Sequence, residues 1–253
     1  MRAHLEQEPI IYFDNAATSW PKPPEMIEAM VRYNGMVGGN PGRSGHRRSV
    51  DAGRVMLEAR EALGELLGCD ALRIVFTKNA TEALNLALSG LLQPGDHAIA
   101  SAMEHNSVMR PLRALEAQGV IISVVPCRGD GLLDPAAVRA AIRPQTRVVV
   151  VNHASNVTGT IQPLAELGSI TREMGVAFCV DAAQTAGALP IDVDQMAIDL
   201  LAFSGHKSLY GPQGTGGLFL REGMEKRIRP LLRGGTGSRS EFEVQPEFMP
   251  DKY

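Results

Sequence analysis

Three short apolar runs end in residues that could do chemistry together. After Arg73–Phe76 (RIVF) come Thr77, Lys78, Asn79, Ala80, Thr81 and Glu82, at the opening of a helical pattern. Small and hydroxyl residues at a helix start offer free backbone N–H groups and the positive end of the dipole, a seat for a phosphate. The same residues also serve as a plain N-cap at Asn79 or Thr81. Asp181 follows VAFCV, and a carboxylate at the end of such a run is costly to bury unless paired. It reads as a helix cap, a structural ion pair or a functional charge. After LLAF come Ser204, Gly205, His206 and Lys207. A P-loop needs glycine directly before its lysine, and His206 occupies that place. An exposed loop charge remains the plain alternative for Lys207. No G-x-G-x-x-G opens a helix after the first strand, which disfavours a dinucleotide fold.

In open α/β sheets the ligand lies outside the carboxyl ends of the strands, so all three signals would meet at one rim. That set matches pyridoxal phosphate chemistry. The lysine forms a Schiff base, the aspartate keeps the pyridine nitrogen protonated, and the helix start anchors the phosphate. The protonated ring then acts as an electron sink for a carbanion at a substrate α-carbon. His97 and His153 read as strand-end residues with structural bonds. No HExxH or Cys/His spacing supports a metal. The 11 methionines are scattered and read as core filling.

The elements that must position these residues alternate in type. Strands are expected at Arg73–Phe76, His97–Ala100, Val120–Val125, Arg147–Val151, Val176–Val180, Asp199–Phe203 and Gly217–Leu220. Helices are expected at Pro24–Tyr33, Asp51–Leu67, Thr81–Leu92, Ser107–Gln118, Pro135–Ile142 and Leu164–Met174. In the second of these, Val55, Met56, Ala59, Leu63, Leu66 and Leu67 follow the i, i+3/i+4 rule. Strand–helix–strand repetition at this spacing, with runs such as VVVV apolar throughout, argues a mostly parallel sheet with helices on both faces. The last 20 residues lose periodicity and read as extended. With 253 residues, 44 % of them hydrophobic, the chain can bury a large core without disulfide or metal staples. The net charge of −3 offers no basic field for nucleic acid. No apolar run reaches the length of a membrane helix, no signal-peptide core is present, and three cysteines without CxxC argue against a secreted framework. A cytoplasmic enzyme is expected.

The segments YFDNAATSWPKPP, NPGRSGHRRS, FTKNATEALNLAL, SAMEHNSVMRPL, VNHASNVTGT, VDAAQTAG and FSGHKSLYGPQGTGGLFL resemble the class V aminotransferase superfamily, and within it cysteine desulfurases and selenocysteine lyases. The resemblance runs from about Ile11 to Tyr253. It implies the large domain of the type I, aspartate aminotransferase-like, pyridoxal phosphate fold over residues 21–253, after an N-terminal arm over 1–20. It also implies a homodimer, a cysteine or selenocysteine substrate and a sulfur-acceptor protein. Carried over residue by residue, Lys207 matches the Schiff-base lysine and Asp181 the pyridinium partner. Gln184 matches the residue bonding the cofactor's phenolic oxygen, with Asn156 near the same oxygen and the substrate. Ala80, Thr81, Ser204 and His206 match the phosphate seat. His105 matches the histidine that stacks on the ring and takes part in catalysis. Thr236 resembles a residue that reaches the phosphate of the partner subunit. Asn15–Ala17 and Arg43–His46 resemble segments lining the substrate entrance.

The chain departs from that pattern in one respect. A desulfurase needs a thiolate on an exposed loop with a lowered pKa. Cys179 lies within a strand, Cys127 just after one, and Cys69 in a helix–strand turn. The resemblance places the family's nucleophilic cysteine, and the small domain whose arginine holds the substrate carboxylate, beyond Tyr253. The chain is therefore expected to be a C-terminally truncated form of a cysteine desulfurase-type enzyme. The alternatives are another class V enzyme, an aminotransferase or a selenocysteine lyase, or a chain without catalysis.

Overall fold

The seven apolar runs become seven strands of one sheet in the computed structural model, which describes residues 10–42, 45–236 and 241–253. They are β1 (Ile74–Thr77), β2 (His97–Ser101), β3 (Ile121–Val125), β4 (Thr146–Asn152), β5 (Ala177–Asp181), β6 (Leu200–Ser204) and β7 (Gly216–Leu220). Their order is β1-β7-β6-β5-β4-β2-β3. The pairs from β3 through β2, β4 and β5 to β6 are parallel, while β7 runs antiparallel to both β6 and β1. The order reverses between β2 and β4, and a crevice at such a switch point is where open α/β sheets take their ligands.

Six α-helices occupy the expected stretches: α1 (Pro24–Arg32), α2 (Arg47–Leu67), α3 (Ala80–Leu91), α4 (Asn106–Glu116), α5 (Pro135–Ala141) and α6 (Leu164–Glu173). A short π-helical turn, Tyr33–Val37, extends α1 and stops at Gly38, whose φ of 52° is left-handed. The sheet separates two cores. On one face Ala98, Ala100, Val148, Val150, Ala177, Cys179 and Ala202 pack against α3 and α4. On the other Ile99, Val149, Val151, Phe178, Val180 and Leu201 pack against α5, α6 and the end of α2. Side chains alternate across a strand, so Asn152, Asp181 and Ser204 fall on the α3/α4 face with Val150, Cys179 and Ala202. Small residues there let the helices sit close.

Helix α2 differs from its expected form at both its start and its buried face. It begins at Arg47 because the His46 ring accepts the Ser49 N–H and caps it, a role outside the usual Ser/Thr/Asp/Asn set. Its buried seam is Ala52, Gly64 and Leu67, with Ser49, while Val55 and Leu66 are exposed. A Cβ on Gly64 would lie 2.7 Å from the Cys69 carbonyl oxygen, so close approach rather than apolar bulk selects that seam. Likewise, no residue of α1 is buried, and Ile27, Met30 and Val31 face outward. Residues 241–253 form neither helix nor strand, but Lys252 Nζ donates to the Glu225 carbonyl at 2.7 Å and Tyr253 Oη to that of Ile228 at 2.9 Å.

Candidate active site

One pocket gathers the carboxyl ends of five strands. Its walls are Ala80 and Thr81 after β1, His105 and Ser107 after β2, Asn152, Ala154 and Asn156 at the end of β4, Asp181, Ala183 and Gln184 at the end of β5, and Ser204 and Lys207 at the end of β6. The eight residues Ala80, Thr81, His105, Asn156, Asp181, Gln184, Ser204 and Lys207 that the sequence singles out therefore share one rim.

The α3 N-terminus is held in place from two sides. Asn79 caps it by accepting the Glu82 N–H at 2.9 Å, and the Ala80 N–H donates to Ser204 Oγ at 3.1 Å. The N-cap that the sequence offered at Asn79 is thus formed, with Ala80 and Thr81 at the pocket wall. Close packing against β7 fixes the position further. A Cβ on Gly216 would lie 2.7 Å from Asn79 Cα and 2.6 Å from the Phe203 carbonyl oxygen.

Asp181 is buried, its Oδ1 accepting the Ala183 N–H at 2.9 Å and its Oδ2 a long contact from Ser107 Oγ at 3.5 Å. Burial pushes this carboxyl up from its usual range, against the opposing pull of the Ala183 N–H and of Lys207 and His105. Burial likewise lowers the Lys207 ammonium, with Asp181 acting the other way. His105 caps α4: its Nδ1 accepts the Ser107 N–H at 3.1 Å. Gln184 Nε2 donates to the Ala16 carbonyl at 2.9 Å, tying the arm to the rim.

His206 and Thr236 do not line this pocket. The His206 ring meets Thr18 Oγ1 at 3.0 Å, and its carbonyl oxygen takes donors from residues 18–22: Ser19 N–H (3.1 Å), Thr18 Oγ1 (3.0 Å), Ser19 Oγ (3.1 Å) and Lys22 Nζ (2.7 Å). Thr236 is half-buried in the segment after β7. Of the two entrance segments, Asn15 accepts the Trp20 N–H through its side chain, whereas Arg43 and Ser44 lie outside the described residues. His97 is structural, its ring bonded to Thr146 Oγ1 at 2.7 Å and Ser123 Oγ at 2.9 Å. His153 is buried, with its Nδ1 unpartnered. Asn152 and Ser107 were missed by the sequence reading. Asn152 ends the VVVV run just as Asp181 ends VAFCV, so the same rule would have found it.

None of the cysteines is disposed to ionise. Burial, with Asp70 and Asp194 nearby, pushes the Cys69 thiol up to about 11. Burial also raises Cys127 and Cys179. Among the described residues no group of three His, Cys, Asp or Glu could hold a metal ion, and no helix is long and apolar enough to cross a membrane.

The profile of the aminotransferase class-V family matches residues 11–247. The chain belongs to the class V aminotransferase family. It is similar to the cysteine desulfurases IscS of Anaeromyxobacter dehalogenans, 40 % identical over 233 residues, and of Vibrio campbellii, 40 % identical over 235 residues. These alignments take in 90 % of this chain but 57 % and 58 % of the relatives, so the chain spans little more than half their length. Among solved structures, the apo cysteine desulfurase of Thermococcus onnurineus superposes with a TM-score of 0.85 at 37 % identity, over 90 % of this chain and 57 % of that one. SspA in complex with cysteine gives 0.84 at 36 % identity, over 88 % and 65 %. Class V aminotransferases use pyridoxal phosphate, and this class V pocket fits that cofactor. A buried carboxylate with no ion pair among the described residues suits a protonated ring nitrogen, a lysine whose ammonium burial disfavours suits an aldehyde, and a capped helix start suits the phosphate.

Proposed function

We propose that this chain is the cofactor-holding part of a pyridoxal-phosphate-dependent cysteine desulfurase. In the overall reaction L-cysteine and an acceptor thiol give L-alanine and a persulfide. The C–S bond breaks, the sulfur joins the acceptor sulfur, and the acceptor's proton passes to alanine. The observation that carries this reading is Lys207 and Asp181 at the ends of neighbouring strands, in one pocket with His105 and the α3 N-terminus. The desulfurase names of the relatives supply the substrate.

When bound, the cofactor supplies an electron sink at the substrate's α-carbon. Lys207 would hold it through Nζ, whose half-buried setting favours the uncharged, proton-accepting amine. Asp181 would keep a proton on the ring nitrogen, and His105 would cover one ring face. Ala80, Thr81 and Ser204 would hold the phosphate, with Gln184 and Asn156 toward the phenolic oxygen. A homodimer, a sulfur-acceptor protein and a cytoplasmic location go with this reading, as does Thr236 reaching a second subunit's phosphate. The outward apolar residues of α1 support a partner surface.

Two measurements test the reading. Borohydride treatment of the chain mixed with pyridoxal phosphate is expected to fix the cofactor to the peptide containing Lys207, and labelling that persists in Lys207→Ala would overturn the assignment. Residues 1–253 by themselves are expected to release no sulfide from cysteine at enzyme-like rates. They present no reactive thiolate, and a positioned nucleophile can be worth about 7–11 kcal/mol of barrier. Turnover abolished by replacing Cys69, Cys127 or Cys179 would show that one of them is the nucleophile. Release of selenide only, or transamination, would redirect the substrate assignment within the family.

A further inference from the structure

The turn between β2 and α4 carries a carboxyl group that the proposed chemistry leaves unused. Glu104 Oε1 accepts Ser101 Oγ at 2.5 Å and the Asn152 N–H at 3.0 Å. Asn152 in turn donates through Nδ2 to the Met103 carbonyl at 3.1 Å. The turn is thereby stitched to the end of β4, directly before His105. Glu104 Oε2, by contrast, is cut off from solvent and has no hydrogen-bond partner among the described residues, and the same holds for Asn152 Oδ1. A carboxylate spreads its charge over both oxygens and needs donors at each. A carboxylic acid needs donors at only one oxygen, and the proton on the other is a single neutral donor, which costs less to leave unmatched than half of a buried charge.

We propose that Glu104 is an uncharged brace: protonated on Oε2, it holds the turn bearing His105 against β4 and keeps a second negative charge away from Asp181. The role is that of a positioning residue, and it rests on the pyridoxal phosphate reading of the pocket. Ser101 of β2, Asn152 of β4, and Asp181 and Cys179 of β5 surround the group, with Cys127 after β3 and His105 beside it. The charge that acts on it is that of Asp181, which is repulsive. Burial, the larger cause, and Asp181 together raise the Glu104 carboxyl to about 8, despite the bonds from Ser101 and Asn152. Were Glu104 ionised, the repulsion would work on Asp181 as well and disfavour the charge it must offer a ring nitrogen.

The test compares the cofactor-free wild-type chain with Glu104→Gln, whose amide keeps the accepting oxygen and replaces O–H by N–H. A folded-state pKa of about 8 against an ordinary unfolded carboxyl means that the native chain holds an extra proton between them. The stability it brings is full below the unfolded pKa and lost as pH rises to the folded one. Relative to Glu104→Gln, the wild-type folding constant should fall by up to about tenfold per pH unit from about pH 5 to 8, then level off. The infrared spectrum at pH 6.5 should show a protonated-carboxyl band that Glu104→Gln lacks. In pyridoxal phosphate titrations Glu104→Gln should retain affinity, whereas Glu104→Ala should lose about tenfold or more, a loss of about 1.4 kcal/mol. A flat pH difference with no such band, or Glu104→Gln as weak in cofactor binding as Glu104→Ala, would overturn the proposal. If no variant and no wild type binds the cofactor, the pyridoxal phosphate reading fails, while the infrared and denaturation results still decide the protonation.

Discussion

Asp181 lines the pocket with its burial only partly offset by Lys207 and His105, and that imbalance has opposite consequences for folding and for binding. Its carboxyl is raised by burial, so the stability linked to its proton is present below the unfolded pKa and lost as pH climbs through the folded one. At neutral pH the empty chain therefore carries a burden that a bound cationic ring would relieve. Asp181→Asn is expected to stabilise the cofactor-free chain by about 1–2 kcal/mol in urea denaturation at pH 7, while weakening its hold on pyridoxal phosphate. Equal loss in both measurements would mean that Asp181 is simply structural. At this scale the sequence was readable where a polar residue closes an apolar run, as with Asp181 and Lys207. It was unreadable where a side chain has two plausible partners. Nothing in S-G-H-K says that the His206 ring turns to Thr18 rather than to a phosphate.

Among the strands, β7 is the one that carries glycines, and both answer to a neighbour. Gly216 passes beneath Asn79, where a methyl group would displace the backbone that caps α3. Gly216→Ala is expected to cost about 1–3 kcal/mol of stability through overpacking and to weaken cofactor binding by shifting Ala80 and Thr81. Paired denaturation and titration curves would check it, and unaltered affinity beside lost stability would separate the seat from the sheet. The strands were legible as apolar runs, and β2, β5, β6 and β7 are buried along their whole length, whereas edge strand β3 is partly exposed. The face of α2 was not legible. Periodicity finds large apolar residues, whereas α2 buries Ala52 and Gly64 and leaves Val55 and Leu66 outside. Packing against small residues leaves no hydrophobic signature.

For the whole molecule, ligand linkage offers the simplest global check. A ligand that binds only the folded state at 100 times its dissociation constant adds about 2.7 kcal/mol. Pyridoxal phosphate is thus expected to raise the melting temperature of the chain by several degrees, and the rise should vanish in Lys207→Ala. The mostly parallel sheet could be read from the alternation of strands and helices, but not the strand order that sets its switch point. The antiparallel insertion of β7 between β1 and β6 could not, because it depends on a pairing between residues far apart in the chain. The described surface also shows Ile27, Met30 and Val31 of α1 exposed, beside a family resemblance that covers little more than half of each IscS relative.

The cluster of donors on the His206 carbonyl carries a consequence for synthesis. Thr18 and His206 lie 188 positions apart, and ribosomes deliver a chain from its N-terminus. The arm leaves the tunnel early and must wait, unsatisfied, until the S-G-H-K turn has emerged. Neighbouring strands can already have paired by then, but the backbone just before Lys207 gains its clasp only once that turn has emerged. Translation order thus makes the clasp between residues 18–22 and the 204–207 turn a late contact, one that only a chain synthesised past His206 can form.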